Sequence, residues 1–257
     1  FFRIESRDDF LSGTLEGIAL DPLGSLSLAN RGQRVSEFPE PFLFSAAHYR
    51  GGWVVGTGNS GAVFHIDRNG AARRLFEAEE SEIFAVWADP DGTVFAGSSP
   101  DGKVYKITDS GSEVFFDPAD TYIWSLARAA DGSLLVGTGT DGRLYKVGDD
   151  GTSELLFDSD DTHVRSLQLL PGGDVLAGTA GDGLIVKISP DGRARTLFDA
   201  DHPEVVDFAL GEDGVAYAAV LASEASLVDL NRRSGSNGQG QQEGGSVRVT
   251  VTPTGGE

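Results

Sequence analysis

Four stretches of similar sequence decide the fold of this 257-residue chain: Trp53-Val54-Val55-Gly56-Thr57-Gly58-Asn59-Ser60-Gly61, Val94-Phe95-Ala96-Gly97-Ser98-Ser99-Pro100-Asp101-Gly102, Leu134-Leu135-Val136-Gly137-Thr138-Gly139-Thr140-Asp141-Gly142 and Val175-Leu176-Ala177-Gly178-Thr179-Ala180-Gly181-Asp182-Gly183. Their central glycines lie at positions 56, 97, 137 and 178, so successive copies are 41, 40 and 41 residues apart. A fixed period of this size indicates a stack or ring of units that share one structure.

Each unit contains four short segments typical of β-strands, as the copy at 83–122 shows. Its apolar run at 83–88 ends in the turn Asp89-Pro90-Asp91-Gly92, where glycine accepts a positive φ without steric cost. Its third segment, Lys103-Val104-Tyr105-Lys106-Ile107, alternates polar and apolar residues, as a strand with one solvated face does. Because no interval between turns is long enough for a crossover helix, the segments predict one antiparallel sheet. The sequence therefore predicts an all-β fold, a β-propeller built of four-stranded antiparallel blades.

Counting the units gives about five blades in this chain, either as a closed five-bladed ring or as part of a seven- or eight-bladed one. The expected boundaries are an incomplete blade at 15–41, regular blades at 42–82, 83–122, 123–163 and 164–204, the start of a last blade at 205–230, a flexible Gly/Ser/Gln-rich insertion at 231–246, and a strand-like segment and tail at 247–257.

Both ends of the chain depart from the regular repeat. The alternating segment at 247–252 is either the displaced fourth strand of the last blade or a disordered tail. The chain contains no methionine and opens on Phe1. Together with the irregular ends, this predicts a trimmed chain or a fragment of a larger protein.

The repeat resembles the WD40-like, quinoprotein-like and NHL-like propeller superfamily over roughly residues 15–230. The resemblance is carried by the apolar first strand, the Asp-Gly turn, and the Val-Gly-Thr…Asp-Gly-x-Leu-Tyr-Lys-Val pattern seen from Leu134 to Val147. The Gly-His and Trp-Asp dipeptides of WD40 repeats are absent from this pattern, so no ligand of a particular subfamily is implied. The resemblance does imply that first strands line the central axis, and that the loops before first strands share one face with the loops between second and third strands.

Composition excludes several functions. The chain carries 40 acidic residues against 20 Lys and Arg, a net charge of −20. Such a chain repels phosphate backbones and anionic lipid surfaces, so neither is expected as a partner, whereas cationic partners and divalent metals are compatible. No run reaches the roughly 18 apolar residues that span a bilayer, so membrane insertion is not expected. With no cysteine, thiolate chemistry and disulfides are excluded. We expect a soluble monomer, and the compartment stays open, with an extracytoplasmic location as one alternative.

The implied loop face collects many acids. A solvated, solubilising surface and a face that binds cations or basic partners are both compatible with this charge. Asp158, Asp160 and Asp161 form the best candidate metal loop, for calcium, which prefers several carboxylate oxygens. Apart from this alternative, no cofactor is expected. The acids of this face are Glu79, Glu80, Glu82, Asp101, Asp117, Asp120, Asp141, Asp158, Asp160, Asp161, Asp182, Asp199, Asp201 and Glu204.

The positions at the start of each first strand differ from blade to blade, and a ligand site in a ring needs such asymmetry. The alignment places Pro41, Glu82, Tyr122, His163 and Glu204 just before the first strands, and Leu43, Phe84, Trp124, Arg165 and Val206 second within them. The predicted ligand-binding residues at the axial opening are Glu82, Tyr122, Trp124, His163, Arg165 and Glu204. The alternative to a binding site is drift at a solvent-lined channel mouth.

Three functional hypotheses follow. The first is a non-catalytic binding or scaffold module that uses its acidic loop face for a protein or a small polar ligand. The second is a propeller enzyme of lactonase or lyase type with a divalent metal in the axial channel, in which His163 and Glu204 do acid–base work. The third is a sensor or extracellular module of a longer protein.

Overall fold

The computed structural model describes residues 17–20, 26–29, 34–37, 40–221 and 248–251, which form two compact units, 1–37 and 38–257. The described part of the first unit contains one antiparallel hairpin, β1 (Ile18–Leu20) and β2 (Leu26–Leu28). The predicted third strand of the last blade, 226–230, and the insertion at 231–246 lie outside the described residues.

The second unit contains four antiparallel blades of four strands each, and the strands pair in chain order within every blade. This confirms the predicted all-β fold of four-stranded blades. Blade 1 is β3 (Leu43–Tyr49), β4 (Gly52–Thr57), β5 (Ala62–Ile66) and β6 (Ala72–Glu77), and blade 2 is β7 (Glu82–Ala88), β8 (Val94–Ser99), β9 (Gly102–Thr108) and β10 (Gly111–Asp120). Blade 3 is β11 (Tyr122–Arg128), β12 (Leu134–Gly139), β13 (Arg143–Val147) and β14 (Ser153–Asp158), and blade 4 is β15 (His163–Leu169), β16 (Val175–Ala180), β17 (Leu184–Ile188) and β18 (Ala194–Asp199). Blades 1 and 2 are separate sheets, whereas blades 3 and 4 and the strands after them are joined into one eleven-stranded sheet through the pairs Gly139–His163 and Ala180–Glu204.

A fifth, three-stranded blade follows in the described part of this sheet, built from β19 (Glu204–Leu210), β20 (Ala216–Leu221) and β21 (Arg248–Val251). β19 pairs with β20 as a first strand pairs with a second. β21 pairs directly with β20, with Tyr217 opposite Val251, and so occupies the place that a third strand takes in the other blades. The number of blades in this unit agrees with the prediction of about five.

The central glycines of the repeat are explained by the contact between neighbouring blades. A Cβ atom on Gly56 would lie 2.7 Å from Cγ2 of Ile83, and one on Gly97 would lie 2.7 Å from Cβ of Ile123. Gly137 and Gly178 face Val164 and Val205 of the next blade in the same way. The second strand of each blade therefore touches the first strand of the next so closely that no side chain fits between them.

Apolar residues fill the space between blades. Ile83, Ile123, Val164 and Val205, which press on these glycines, are each fully buried. Fourth-strand and third-strand aromatics add a second contact, as between Phe76 and Tyr105, whose ring centroids are 4.7 Å apart. Burial of each large side chain stabilises the fold by about 1.5–3 kcal/mol, so the interfaces between blades hold the unit together.

Candidate functional site

A β-bulge interrupts the first strand of every blade at the same place. In β7 the pairing with β8 passes from Ile83–Ser98 to Ala85–Gly97, which leaves Phe84 as the extra residue. A bulge re-aims a side chain out of the regular ladder, and bulges are common beside binding sites. The five extra residues, named the bulge column here, are Phe44, Phe84, Trp124, Arg165 and Val206.

A second column lies two residues upstream, on the same side of each first strand, because side chains alternate across a strand. Four of its members are the first residue of a first strand, and each pairs with the last residue of the second strand, as His163 pairs with Ala180. In blade 1 the member directly precedes the strand and pairs with the residue after the second strand. This rim column consists of Phe42, Glu82, Tyr122, His163 and Glu204.

Aromatic rings of the two columns form one continuous row across blades 1 to 3. The ring centroids of Phe44 and Phe84 are 4.7 Å apart, and those of Phe84 and Trp124 are 4.5 Å apart. Tyr122 stacks on Trp124 at 4.8 Å with an interplanar angle of 16°, and Phe42 lies 6.2 Å from Phe44. Phe44, Phe84, Tyr122 and Trp124 are half-buried and Phe42 is exposed, so the row presents ring surface to solvent.

Polar side chains end the row on the side of blades 4 and 5. The Trp124 indole Nε1 donates a hydrogen bond of 3.1 Å to His163 Nδ1. The Arg165 guanidinium lies over the Trp124 ring, 3.8 Å from its centroid, and its Nε donates a 2.6 Å hydrogen bond to Glu204 Oε1. The structure therefore brings together Tyr122, Trp124, His163, Arg165 and Glu204, five of the six predicted ligand-binding residues.

Glycines make room for the row. A Cβ on Gly139 would overlap Nδ1 of His163 and lie 2.8 Å from Nε1 of Trp124, and one on Gly58 would lie 2.5 Å from the Phe44 ring. The corresponding position in blade 4, beside Arg165, is Ala180. In blade 2, beside Phe84, it is Ser99, so glycine is found at this place only in blades 1 and 3.

Glu82, the sixth predicted residue, has a different environment from Glu204. It occupies the rim position of blade 2 and is half-buried. Burial raises the pKa of its carboxyl above the ordinary range. Within the described residues, no hydrogen bond and no base lowers the pKa again. A carboxyl whose pKa is raised by burial is a candidate for a functional site.

Three of the acids predicted for the open loop face are buried structural groups instead. Glu80 is 7% exposed and accepts hydrogen bonds from Lys103 Nζ at 2.7 Å and Tyr105 Oη at 2.8 Å. Burial alone would raise the pKa of Glu80, but these two hydrogen bonds outweigh it and lower the pKa. Asp120 is 6% exposed and accepts a 2.7 Å bond from Thr138 Oγ1. Asp161, also 6% exposed, accepts hydrogen bonds from Thr179 Oγ1 and from the Asp182 backbone N–H.

The other acids of this face stay at the surface, close to the rim column. Glu79, Asp101, Asp117, Asp141, Asp182, Asp199 and Asp201 are exposed. Loops before first strands and loops after second strands meet here, since the Gly61 N–H donates to the Ser81 carbonyl at 2.7 Å and the Gly181 N–H to the Pro203 carbonyl at 3.0 Å. Lys103 and Arg143, the bases on these loops, are each paired with an acid, Asp101 and Asp141 respectively. The edge around the aromatic row is therefore negatively charged.

The predicted metal residues do not converge. Asp161 points inward, Asp160 is exposed, and Asp158 lies 3.6 Å from the Arg143 guanidinium. Within the described ranges, no group of three or more His, Asp or Glu side chains is placed to hold a metal ion. Calcium binding stays a prediction, which thermal melting with and without added calcium would test.

The sequence missed Phe42 and Phe44 because of one turn. The hairpin from β3 to β4 uses a two-residue turn, Arg50-Gly51, with φ of 46° and 77°, whereas the other first hairpins have one more residue in the turn. Counting back from Gly51 then assigns Pro41 and Leu43 to positions that belong to Phe42 and Phe44. The signal was present, since a residue followed by glycine between two strands is typical of a two-residue turn.

A cleft of about 370 Å³ lies at the opposite ends of the strands, lined by Asp131, Lys146 and Thr152 among others, and Lys146 Nζ is paired there with Asp131 at 2.7 Å. The aromatic row combines exposed ring surface with a carboxylate, Glu82, that forms no ion pair within the described residues. We therefore take the row as the candidate site.

The fold and the repeated blades define the class: this chain is a β-propeller protein. No protein-family model matches the chain, and no curated protein sequence matches it. The described part of the chain contains no helix long and apolar enough to cross a membrane.

Solved structures match the chain with low sequence identity. One is selenomethionine-substituted virginiamycin B lyase from Staphylococcus aureus, with 13% identity and a TM-score of 0.61, covering 83% of this chain and 71% of that one. A gluconolactonase-like protein matches with 14% identity and a TM-score of 0.57, covering 73% and 74%. A nidogen/laminin complex matches with 14% identity and a TM-score of 0.55, covering 65% and 70%. Because a lyase, a gluconolactonase-like protein and a nidogen/laminin complex all match at 13–14% identity, the likeness shows the fold alone.

Proposed function

We propose that this chain is a non-catalytic binding module whose ligand lies on the aromatic row of Phe42, Phe44, Phe84, Tyr122 and Trp124. The ligand is a small molecule or a peptide segment with a flat apolar face. The observation that carries the proposal is the bulge repeated in each first strand, which turns a ring toward solvent in three successive blades.

The energetics of the row support binding. Exposed rings in contact with water are costly, and stacking a ligand on them recovers both apolar burial and the ring–ring attraction. The rings also support one another through the contacts from Phe44 to Trp124, so little side-chain freedom remains to be lost when a ligand binds.

The arrangement of polar groups supports binding rather than catalysis. His163 Nδ1 accepts a hydrogen bond from Trp124, and Glu204 holds Arg165. The two groups suggested for acid–base work thus position neighbouring side chains of the row. A base held in this way is less available to take a proton from a substrate.

The test uses two tryptophans of the same chain. Trp124 lies in the row, whereas Trp53 is 37% exposed elsewhere on blade 1, stacked on His48 with ring centroids 3.8 Å apart. Benzyl alcohol, a neutral aromatic probe, is titrated into the protein and followed by ligand-observed NMR. We expect Trp124→Ala to weaken binding by about tenfold or more, as loss of a central aromatic contact does, and Trp53→Ala to leave it unchanged.

Phe84→Leu is the second variant, because it keeps apolar volume and removes only the ring. We expect it to weaken the binding of benzyl alcohol as well. If neither Trp124→Ala nor Phe84→Leu alters the NMR signal of benzyl alcohol, while both proteins stay folded by circular dichroism, the row is not the binding site.

A further inference from the structure

Each rim residue lies beside the bulge residue of the preceding blade, and three such pairs show what this geometry allows. Between blades 2 and 3 the pair is Phe84 and Tyr122, with ring centroids 6.4 Å apart. Between blades 3 and 4, Trp124 donates a hydrogen bond to His163. Between blades 4 and 5, Arg165 and Glu204 form an ion pair at 2.6 Å, with side chains only 23% and 17% exposed.

The pair between blades 1 and 2 joins a carboxylate, as in the pair of blades 4 and 5, to an aromatic ring, as in the pair of blades 2 and 3. Its rim residue is Glu82, the repeat equivalent of Glu204, and its bulge residue is Phe44, the repeat equivalent of Arg165. A carboxylate therefore lies where a guanidinium would be the matching neighbour, but the neighbour is a phenyl ring. Within the described residues, no base forms an ion pair with Glu82, and burial raises its pKa.

The protein itself shows that rings of this row hold a cation. The Arg165 guanidinium carbon lies 3.8 Å from the centroid of the Trp124 ring while Glu204 neutralises its charge. A cation over an aromatic face gains from the ring quadrupole, and more so where water is partly excluded. Phe84 follows Glu82 by two residues in the same strand, and Phe44 occupies the repeat position that Arg165 takes next to Glu204. The repeat therefore places these two rings, whose centroids are 4.7 Å apart, next to Glu82.

We propose that the ligand of the aromatic row is an organic cation, whose positively charged head group is received by the Glu82 carboxylate and by the ring faces of Phe44 and Phe84. This inference rests on the proposed function and names the chemical class of its ligand. The head group is a substituted ammonium, and its apolar body lies along the row toward Tyr122 and Trp124. The exposed acids around the rim attract such a ligand over a distance and repel anionic ones.

Two probes of the same shape separate charge from size. Choline carries a trimethylammonium group, and 3,3-dimethyl-1-butanol has a neutral tert-butyl group in its place. Both are titrated into the full chain by ligand-observed NMR at low ionic strength. We expect choline to bind about tenfold more tightly than the neutral isostere, and its affinity to fall as salt is added.

Glu82→Gln removes the charge and keeps the shape of the side chain. We expect it to weaken choline binding by about tenfold, to the level of the neutral isostere. Glu79→Gln is the matched control: this exposed acid precedes Glu82 by three residues, and its loss changes the net charge equally. Only a small change in choline affinity is expected from the control.

The outcomes separate this inference from the proposal beneath it. If benzyl alcohol binds to the row but choline binds no better than its neutral isostere, the site exists and the cation assignment is wrong. Choline binding that survives Glu82→Gln undiminished overturns it equally. If neither benzyl alcohol nor choline responds to Trp124→Ala, the proposed site itself fails.

Discussion

Two columns of residues run through neighbouring positions of the blades, and they differ in whether the residue type is kept from blade to blade. The glycines at 56, 97, 137 and 178 are identical in four blades, because each faces a buried β-branched side chain of the next blade. The bulge column changes at nearly every step, from Phe44 and Phe84 to Trp124, Arg165 and Val206. Identity within the repeat therefore marks close packing, and variation marks the surface where a ligand can distinguish one blade from another.

The same contrast holds between two carboxylates that are separated by a single residue. Glu80 lies in the interior and is held by Lys103 and Tyr105. Glu82 lies in the rim column, and burial raises its pKa without a compensating partner in the described chain. The first stabilises the junction between blades, whereas the second carries a desolvation cost that only a ligand would offset.

The largest effect is expected from breaking the identical column. Gly97→Val would place a branched side chain where even a Cβ lies 2.7 Å from Ile123, and neither strand can move aside in a packed interface. Overpacking of this kind costs about 3 kcal/mol, which lowers Tm by roughly 6–12 °C in a domain of this size. Thermal unfolding followed by circular dichroism measures the change.

Gly148→Ala is the control for that experiment. This glycine lies in a turn, and a new Cβ would approach Oδ1 of Asp150 at 2.9 Å and Oγ1 of Thr152 at 3.1 Å. These two groups are hydrogen-bonded to each other but exposed to solvent, so they can shift outward more easily than the packed interface can. The Tm of this variant should stay close to that of the unmodified chain. Equal Tm values for Gly97→Val and the unmodified chain would contradict the close contact between blades 2 and 3.

A smaller loss is expected from Glu80→Gln, which leaves the Lys103 ammonium without its buried carboxylate. At pH 7 we expect a loss of about 1–3 kcal/mol, typical of a buried group deprived of its charged partner. Hydrogen bonds lower the pKa of Glu80 below its ordinary value of 4.5, so its contribution is complete above pH 4.5 and disappears as the pH falls through the lowered value. The gap in Tm between the two proteins should therefore close in acid, and a gap that persists there would show that charge is not its origin.

The amino-acid sequence predicts most of the features that are the same in every blade. Turn glycines, the apolar second strands and the fourth-strand phenylalanines return at one spacing, because each satisfies a local requirement that the repeat imposes at every blade. Phe76 and Phe116, for example, each meet a tyrosine of the following blade. Four regular blades follow from these residues alone.

The candidate site is harder to predict because its side chains depend on bulges and on a turn. Strand periodicity assigns Trp124 and Arg165 to one position, but nothing in the pattern shows that a bulge directs them toward each other. The shorter Arg50-Gly51 turn shifts the first blade by one residue and hides Phe44. Buried acids such as Asp161 look like solvated loop residues in sequence, since their Thr179 partner is 18 residues away.

The smallest effect, and the one of opposite sign, is expected from Glu82→Gln. The pKa of Glu82 is raised by burial, so ionisation costs stability in the folded state, and this cost appears as the pH rises through the raised pKa. Replacing the carboxylate should therefore raise Tm at pH 7 by about 1–2 °C, within the roughly 0.5 kcal/mol usual for a surface substitution. The gain should vanish in acid, where the carboxyl is protonated in both folded and unfolded chains.

Glu79→Gln, in the same loop, is the control and should not raise Tm at pH 7. A Tm that falls for Glu82→Gln at pH 7 would mean that the carboxylate stabilises the fold. A residue whose removal stabilises the protein while it weakens choline binding is one retained for function rather than for folding.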